Sequence, residues 1–173
     1  MSDNLISSVE SVAGSAGCGG RRLVKKLYKK GGNMVKVKAV KQVARFTDNG
    51  DNTVTDTKTG LQWVKDHAVL GDDFAQQRMT WKKAIEACKK LDLGGHKDWR
   101  LPAREELESI LDLTRHDPAI DPIFRNAQSS WYWTSTPVAW SQGGAWLVGF
   151  DGGHVDIGFE GSGYYVRPVR SSK

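Results

Sequence analysis

No run of eighteen consecutive apolar residues occurs in the 173-residue chain, so the sequence offers no membrane-spanning helix. Cysteine is scarce as well. Cys18 lies in a Gly-rich stretch and Cys88 in a helical pattern. Two thiols cannot make a disulfide-rich scaffold, and with scattered histidines they give no zinc spacing. Both are expected to be free, with Cys88 acting as a small buried hydrophobe. A chain of this length buries roughly two-thirds of its unfolded surface around one core, so it needs no disulfide or metal staple. The opening stretch MSDNLISSVESVAGSAG lacks a basic region and a long apolar run. It does not read as a secretory leader.

Tryptophan and glycine are abundant, with seven and nineteen residues. Trp favours packed cores and binding surfaces, and Gly at this frequency implies many turns. Charge is unevenly placed. Residues 1–45 hold ten Lys/Arg against two acids, whereas residues 46–173 hold fifteen against eighteen. The basic character therefore belongs to an N-terminal arm, residues 1–42, and the domain at 43–173 is mildly acidic. In the arm, Leu23, Val24, Leu27 and Tyr28 fit one face of a helix that Gly31 and Gly32 would stop. Val35 and Val37 then alternate with Lys36 and Lys38 as an exposed strand. The arm admits two readings, a contact to phosphates or sulfates and a segment for attachment or oligomerisation. Attachment is the preferred one, and nucleic acid is not the expected partner.

From Arg45 the pattern sharpens. RFTDNGDNTVTDTKTGLQW carries turn signals at Asn49-Gly50 and Thr59-Gly60 between β-formers, which predicts a β-meander. Asp48, Asp51 and Asp56 superficially suggest a calcium loop, but the EF-hand spacing is absent and hairpin turns use Asp in any case. No cofactor is expected, with calcium at these carboxylates as the alternative. Thr80 caps a predicted helix over residues 80–92, whose apolar face is Trp81, Ala84, Ile85, Cys88 and Leu91. Pro102 opens a second helix, PAREELESILDL, with Leu107, Ile110 and Leu111 as its buried stripe. SSWYWTST reads as a strand. AWLVGFDGGHVDIGF reads as a hairpin with one buried face: Trp146, Val148 and Phe150 on one strand, Val155, Ile157 and Phe159 on the other. YYVRPVR forms the last strand, where Pro168 requires an edge or bulge.

Six strings in order, RFTDNGDNTVTDTKTGLQW, TWKKAIEACKKL, HKDWRLPAREELESILD, YWTST, AWLVGFDGGHVD and YYVRPVR, resemble the C-terminal domain family of the Legionella collagen-like adhesin. The resemblance covers roughly residues 43–170. It implies an α+β, C-type-lectin-like fold: two helices flanking small antiparallel β-sheets, with the first and last strands paired. Such domains are carried on adhesins, secreted proteins and phage tail proteins, which implies a location at a cell surface, outside the cell or on a virion. The adhesin binds sulfated glycosaminoglycans and is trimeric, so the resemblance implies a homo-oligomer. The fold also serves the variable proteins of diversity-generating retroelements, whose C-terminal stretch is hypermutated. This chain departs from the adhesin in lacking collagen-like repeats and in its acidic domain. The residue sets that bind sugar through calcium in true C-type lectins do not occur either.

Catalysis is not expected. The fold hosts formylglycine-generating enzymes, but Cys18 and Cys88 form no reactive pair. His96 with Asp98, and His116 with Asp117, are sequence neighbours that seldom build a catalytic constellation. Arg100 and Arg167, flanked by core-like residues, are read as guanidiniums bonded to backbone carbonyls or to a carboxylate such as Glu106, with anion binding as the rival. Trp63, Trp81, Trp99, Trp131 and Trp146 read as core. Trp140 differs, because it lies in the polar, Gly-flanked loop PVAWSQGG. The expected function is non-enzymatic binding of a glycan or a protein by a surface made of loop 138–144 and the outward positions of 149–163. Its candidate residues are Trp140, Gln142, His154, Asp156, Phe159, Glu160 and Ser162, with His154 and Asp156 facing away from Val155 and Ile157. The alternative is a structural or decoration component docked through its basic arm.

Overall fold

The computed structural model describes residues 27–30, 33–36, 44–71, 74 and 78–172. The chain divides into two units, Met1–Ala44 and Arg45–Lys173. In the first, strand β1 (Leu27–Lys30) pairs antiparallel with β2 (Asn33–Lys36), with Lys30 opposite Asn33. Leu27 and Tyr28 therefore lie in a strand, not on the predicted helical face. A short helix beside two glycines has little to stabilise it alone, whereas a two-residue connection sets a hairpin register. Leu23, Val24, Val37 and the stop at Gly31-Gly32 lie outside the described residues.

The second unit is α+β. Its meander forms as expected: β3 (Phe46–Asp48), β4 (Thr53–Asp56) and β5 (Leu61–Val64) pair antiparallel in sequence order. Positive backbone φ at Gly50 and Gly60, 85° and 71°, turns the chain where the Asn-Gly and Thr-Gly signals stood. A 3-10 turn at His67–Val69 follows. Helix α1 (Trp81–Lys90) buries Ala84, Ala87 and Cys88. Thr80 is extended at its N-cap, but its hydroxyl makes no capping bond. Helix α2 (Arg104–Ser109) is shorter than expected, with Ala103 as its N-cap. The Glu106 carboxylate accepts from Ala103 N at 2.7 Å and from both terminal nitrogens of Arg100 at 2.7 Å. Leu111, predicted as a third helical turn, instead bridges Ile120 in extended form.

Three more strands, β6 (Trp131–Pro137), β7 (Gly144–Gly149) and β8 (His154–Phe159), form a second antiparallel sheet in sequence order. Its pleat sends alternate side chains into two different cores. Trp133, Ala145 and Leu147 join Ala84, Ala87 and Cys88 of α1 in one cluster. Tyr132 and Val148 join Leu107 and Ile110 of α2 in the other. Strands β6 and β7 are thus covered on both faces, because each helix packs on a different side, whereas β8 leaves His154, Asp156, Ile157 and Phe159 exposed. Cys88 is free and fully buried, and burial pushes its thiol up to about 12. Cys18 lies outside the described residues.

The C-terminal segment joins the two sheets. Tyr164 bridges Met79, and Tyr165 bridges Tyr132. Val169 bridges Arg100 and begins β9 (Val169–Ser171), which pairs with β5 through Trp63↔Val169. The first sheet is ordered β3-β4-β5-β9, so the last strand pairs with the third of the meander and not with its first. The meander's first strand, β3, ends at the opposite edge. Pro168 sits just before β9, where its missing N–H costs no ladder bond and its carbonyl accepts from Val64 N at 3.3 Å.

Arg167 is fully buried, as its core-like neighbours foretold. Its Nη1 donates to the Val64 carbonyl at 2.9 Å, while Nε and Nη2 have no hydrogen-bond partner. Phe124 and Tyr132 present their rings to the guanidinium at 5.5 and 5.9 Å. A buried cation without a carboxylate spends much of its attraction on its own desolvation. Arg167→Met, which keeps the volume and removes the charge, is therefore expected to change unfolding free energy by less than about 1 kcal/mol. Arg167→Ala is expected to cost at least about 3 kcal/mol by leaving a void. Urea unfolding of the two variants checks the contrast.

His67 generates a second prediction. Its Nε2 lies 3.1 Å from the Val166 carbonyl, which requires the Nε2–H tautomer. Burial, with the Arg167 charge nearby, pulls its pKa down to about 4. The unfolded chain takes up this proton near pH 6.5, whereas the folded chain does so only near 4. Between those values the unfolded state binds more protons, so stability is full above pH 6.5 and is lost as pH falls toward 4. The expected contribution is about 3 kcal/mol. His67→Gln, which retains a donor, should flatten that portion of the stability–pH curve relative to the parent chain.

Candidate functional site

The pleat of β8 decides which candidate residues share a surface. His154 and Asp156 are cross-strand partners of Gly149 and Leu147, so they stand on the α1 side of the sheet. They do face away from Val155 and Ile157, as expected. His154 packs its ring 5.9 Å from Trp131, and its Nε2 lies 3.3 Å from Asp151 Oδ2. The Asp156 carboxylate turns back to accept the Ile157 N–H at 2.8 Å.

The other face carries the aromatic surface. Val155, Ile157 and Phe159 are opposite Val148, Trp146 and Gly144. Near Val148 this face is covered by α2, through Leu107 and Ile110. The helix begins only at Arg104, whose guanidinium lies 4.3 Å over the Trp146 ring and bonds Glu108 Oε1 at 2.5 Å. Past Arg104 the face carries exposed side chains. Ile157 is 42% exposed and Phe159 73% exposed. The single buried face expected of this hairpin therefore ends at Val155, because α2 spans only part of it. Trp140 completes the group. It is 72% exposed, with its ring 5.6 Å from that of Trp146 at 81°.

The loop that presents Trp140 is closed by its own backbone. Val138 N donates to Gly144 O at 2.9 Å, Ser141 N to Val138 O at 3.3 Å and Gly144 N to Ser141 O at 3.3 Å. Glu160 N donates to Gly143 O at 2.8 Å, which ties the end of β8 to the same loop. Gln142 is exposed at the loop tip and Glu160 is half-buried beside it. Ser162 is also half-buried, with its N–H on the Phe159 carbonyl at 2.8 Å. The backbone bond from Glu160 to Gly143 thus joins the strand end at Phe159 and Glu160 to the loop that carries Trp140 and Gln142, while His154 and Asp156 stand on the opposite side. Ile157, read as core, belongs to the exposed group, and Trp146 is half-buried beneath Arg104 and Trp140. Arg104 received no role from sequence, since no pattern along the chain announces its stacking on Trp146.

Other tryptophans match their core assignment to different degrees. Trp63 and Trp99 are buried, whereas Trp81 and Trp131 are half-buried. The Trp81 indole N–H donates to the Thr134 carbonyl at 2.7 Å. Arg100 adopts the carboxylate pairing expected of it, with Glu106.

The three meander carboxylates serve separate duties. Asp48 accepts from Gly50 N and Lys65 Nζ, Asp51 from Thr53 N and Oγ1, and Asp56 from Arg45 and Lys58 N. Among the described residues, no three His, Cys, Asp or Glu side chains gather as a metal set. The candidate histidine pairs are equally dispersed. Asp98 bonds Arg170, and Asp117 lies between His116 Nδ1 at 3.3 Å and Ser129 Oγ at 2.6 Å. With the carboxylate in the middle, the imidazole has no hydrogen bond to the hydroxyl it would have to activate.

Comparison with known proteins bears on this geometry. A search of curated proteins found no match. The family model described as the Lcl C-terminal domain matches residues 52–170, which contain both helices, the second sheet and the whole aromatic face. The chain belongs to the Lcl C-terminal domain family.

Proposed function

We propose that residues 45–172 form a C-type-lectin-like recognition domain that binds a surface glycan or protein through the Trp140 face and catalyses nothing. The observation that carries this reading is Trp140 itself, a large aromatic ring 72% exposed on a hydrogen-bonded loop. Exposing such a ring forgoes burial worth on the order of 2 kcal/mol, so its place at the surface calls for a partner. Phe159 and Ile157 beside it extend the same surface, and aromatic anchors of this kind dominate binding energy. Membership of an adhesin-domain family and the α+β arrangement of two helices about small antiparallel sheets support the same reading.

The expected setting is a cell or virion surface, on a homo-oligomer. No helix among the described residues is long and apolar enough to cross a membrane. Calcium is not required for binding in this reading, since the meander carboxylates are occupied by turn amides and cations.

The full chain, a Trp140→Ala/Phe159→Ala variant and a His154→Ala/Asp156→Ala variant should be compared on a glycan array and on immobilised cell-surface protein extract. Each is measured with calcium and with chelator. The aromatic variant is expected to lose at least ten-fold in signal, and the His154/Asp156 variant to stay within two-fold of the parent. Equal binding by the parent and the aromatic variant would overturn the reading.

A further inference from the structure

We infer that the buried edge of the Arg167 guanidinium binds a small monovalent anion of halide size, chloride being the expected occupant. The inference goes beyond the recognition reading and does not depend on it.

Guanidinium geometry is the first argument. The Nε–H and one Nη2–H of an arginine run parallel along one edge and form a two-donor fork. Arg45 uses this edge for a carboxylate: its Nε and Nη2 donate to the two oxygens of Asp56 at 3.1 and 2.7 Å. Arg167 carries the same fork fully buried, and neither Nε nor Nη2 has a hydrogen-bond partner. Its Nη1 is spent on the Val64 carbonyl at 2.9 Å.

Charge supplies the second argument. Among the described arginines that are not exposed, Arg45, Arg100, Arg104 and Arg170 each meet a carboxylate, that of Asp56, Glu106, Glu108 or Asp98. Arg167, the most deeply buried of the five, meets none. Asp66 feels the Arg167 charge, but its bonds go to Asn126 Nδ2 at 2.7 Å and Ala68 N at 2.9 Å. A water molecule would accept the two N–H bonds and leave the buried charge uncompensated. An anion does both, through charge-assisted bonds.

The surroundings supply the third. The Tyr132 hydroxyl feels the Arg167 charge, and its oxygen accepts the Gln128 N–H at 2.7 Å. Its own hydrogen remains a donor. Trp63 precedes Val64 and lies in the same core as Tyr132, and its buried indole N–H also lacks a partner. This core therefore holds donors in excess, which suits an anion and repels a cation. Close packing selects by size, since a halide needs little more room than a water, about 30 Å³.

Crystals of the full chain grown in sodium bromide should be measured at the bromine absorption edge. An anomalous peak is expected beside Arg167 Nε and Nη2. Thermal unfolding of the parent and of Arg167→Met should be followed as chloride replaces gluconate at constant ionic strength. From 1 to 100 mM chloride, the parent Tm is expected to rise by about 3 °C relative to the variant. Arg167→Lys, which keeps the charge and loses the fork, should lose most of that response, and it serves as the comparison if Arg167→Met does not fold. Density at the fork without an anomalous signal would mean water and would overturn the inference. Bromide at exposed side chains alone, an adventitious ion only, would overturn it as well, as would a chloride response equal in parent and variants.

Discussion

The rest of the second unit depends on how the segment from Tyr164 to Ser171 is held. Tyr165 exchanges backbone bonds with β6, its N–H to Trp131 O at 3.0 Å and its carbonyl from Trp133 N at 2.9 Å. Val166 lies in the α1 core and lends its carbonyl to His67. Val169 lies in the α2 core and begins the strand that closes the first sheet. One extended stretch therefore contributes to both cores and both sheets. Its side chains alternate between clusters for the same reason that any strand alternates, but here each side is a different core. Arg167 marks the crossing point, where its buried guanidinium has one carbonyl and two aromatic rings about it and keeps two nitrogens without a hydrogen-bond partner.

That arrangement sets what packs beneath the aromatic face. The second sheet is packed by α1 on one side and partly by α2 on the other, with β7 contributing to both cores. Arg104, at the very start of α2, fixes where coverage stops. The exposed shelf follows from helix length. A six-residue helix covers about 9 Å of sheet, and the open portion lies past its first residue, Arg104.

Much of the second unit was legible in its residues. The meander and both hairpin turns were announced by Asn49-Gly50, Thr59-Gly60 and Asp151-Gly152-Gly153, because positive φ leaves few residue choices. The helix over Trp81–Lys90 was announced by its apolar spacing. Non-local facts were not legible. Nothing near Val169 indicates that it pairs with Trp63, and nothing in the α2 pattern indicates that Leu111 leaves the helix to bridge Ile120. The candidate site divides the same way. Trp140 stood out because a polar, Gly-flanked loop gives an indole no reason to be there, and it is exposed. Trp146 and Ile157 alternate like core residues, yet Trp146 is half-buried and Ile157 exposed, since α2 covers only part of that face. The same alternation correctly set His154 and Asp156 apart from Ile157, which is why the seven candidates split over two faces.

The bond from the Asp156 carboxylate to the Ile157 amide bears on how the sheet edge meets another chain. Strand β8 is the outer strand of its sheet, and it carries two exposed apolar side chains. Such an edge is a template on which a second chain can add its own strand. The Asp156 side chain occupies one outward N–H, and the Ser162 N–H occupies the Phe159 carbonyl, so the ladder is blunted at two points along six residues. A carboxylate at the rim also repels its own copy. Pairing of two copies through this edge would require both bonds to break.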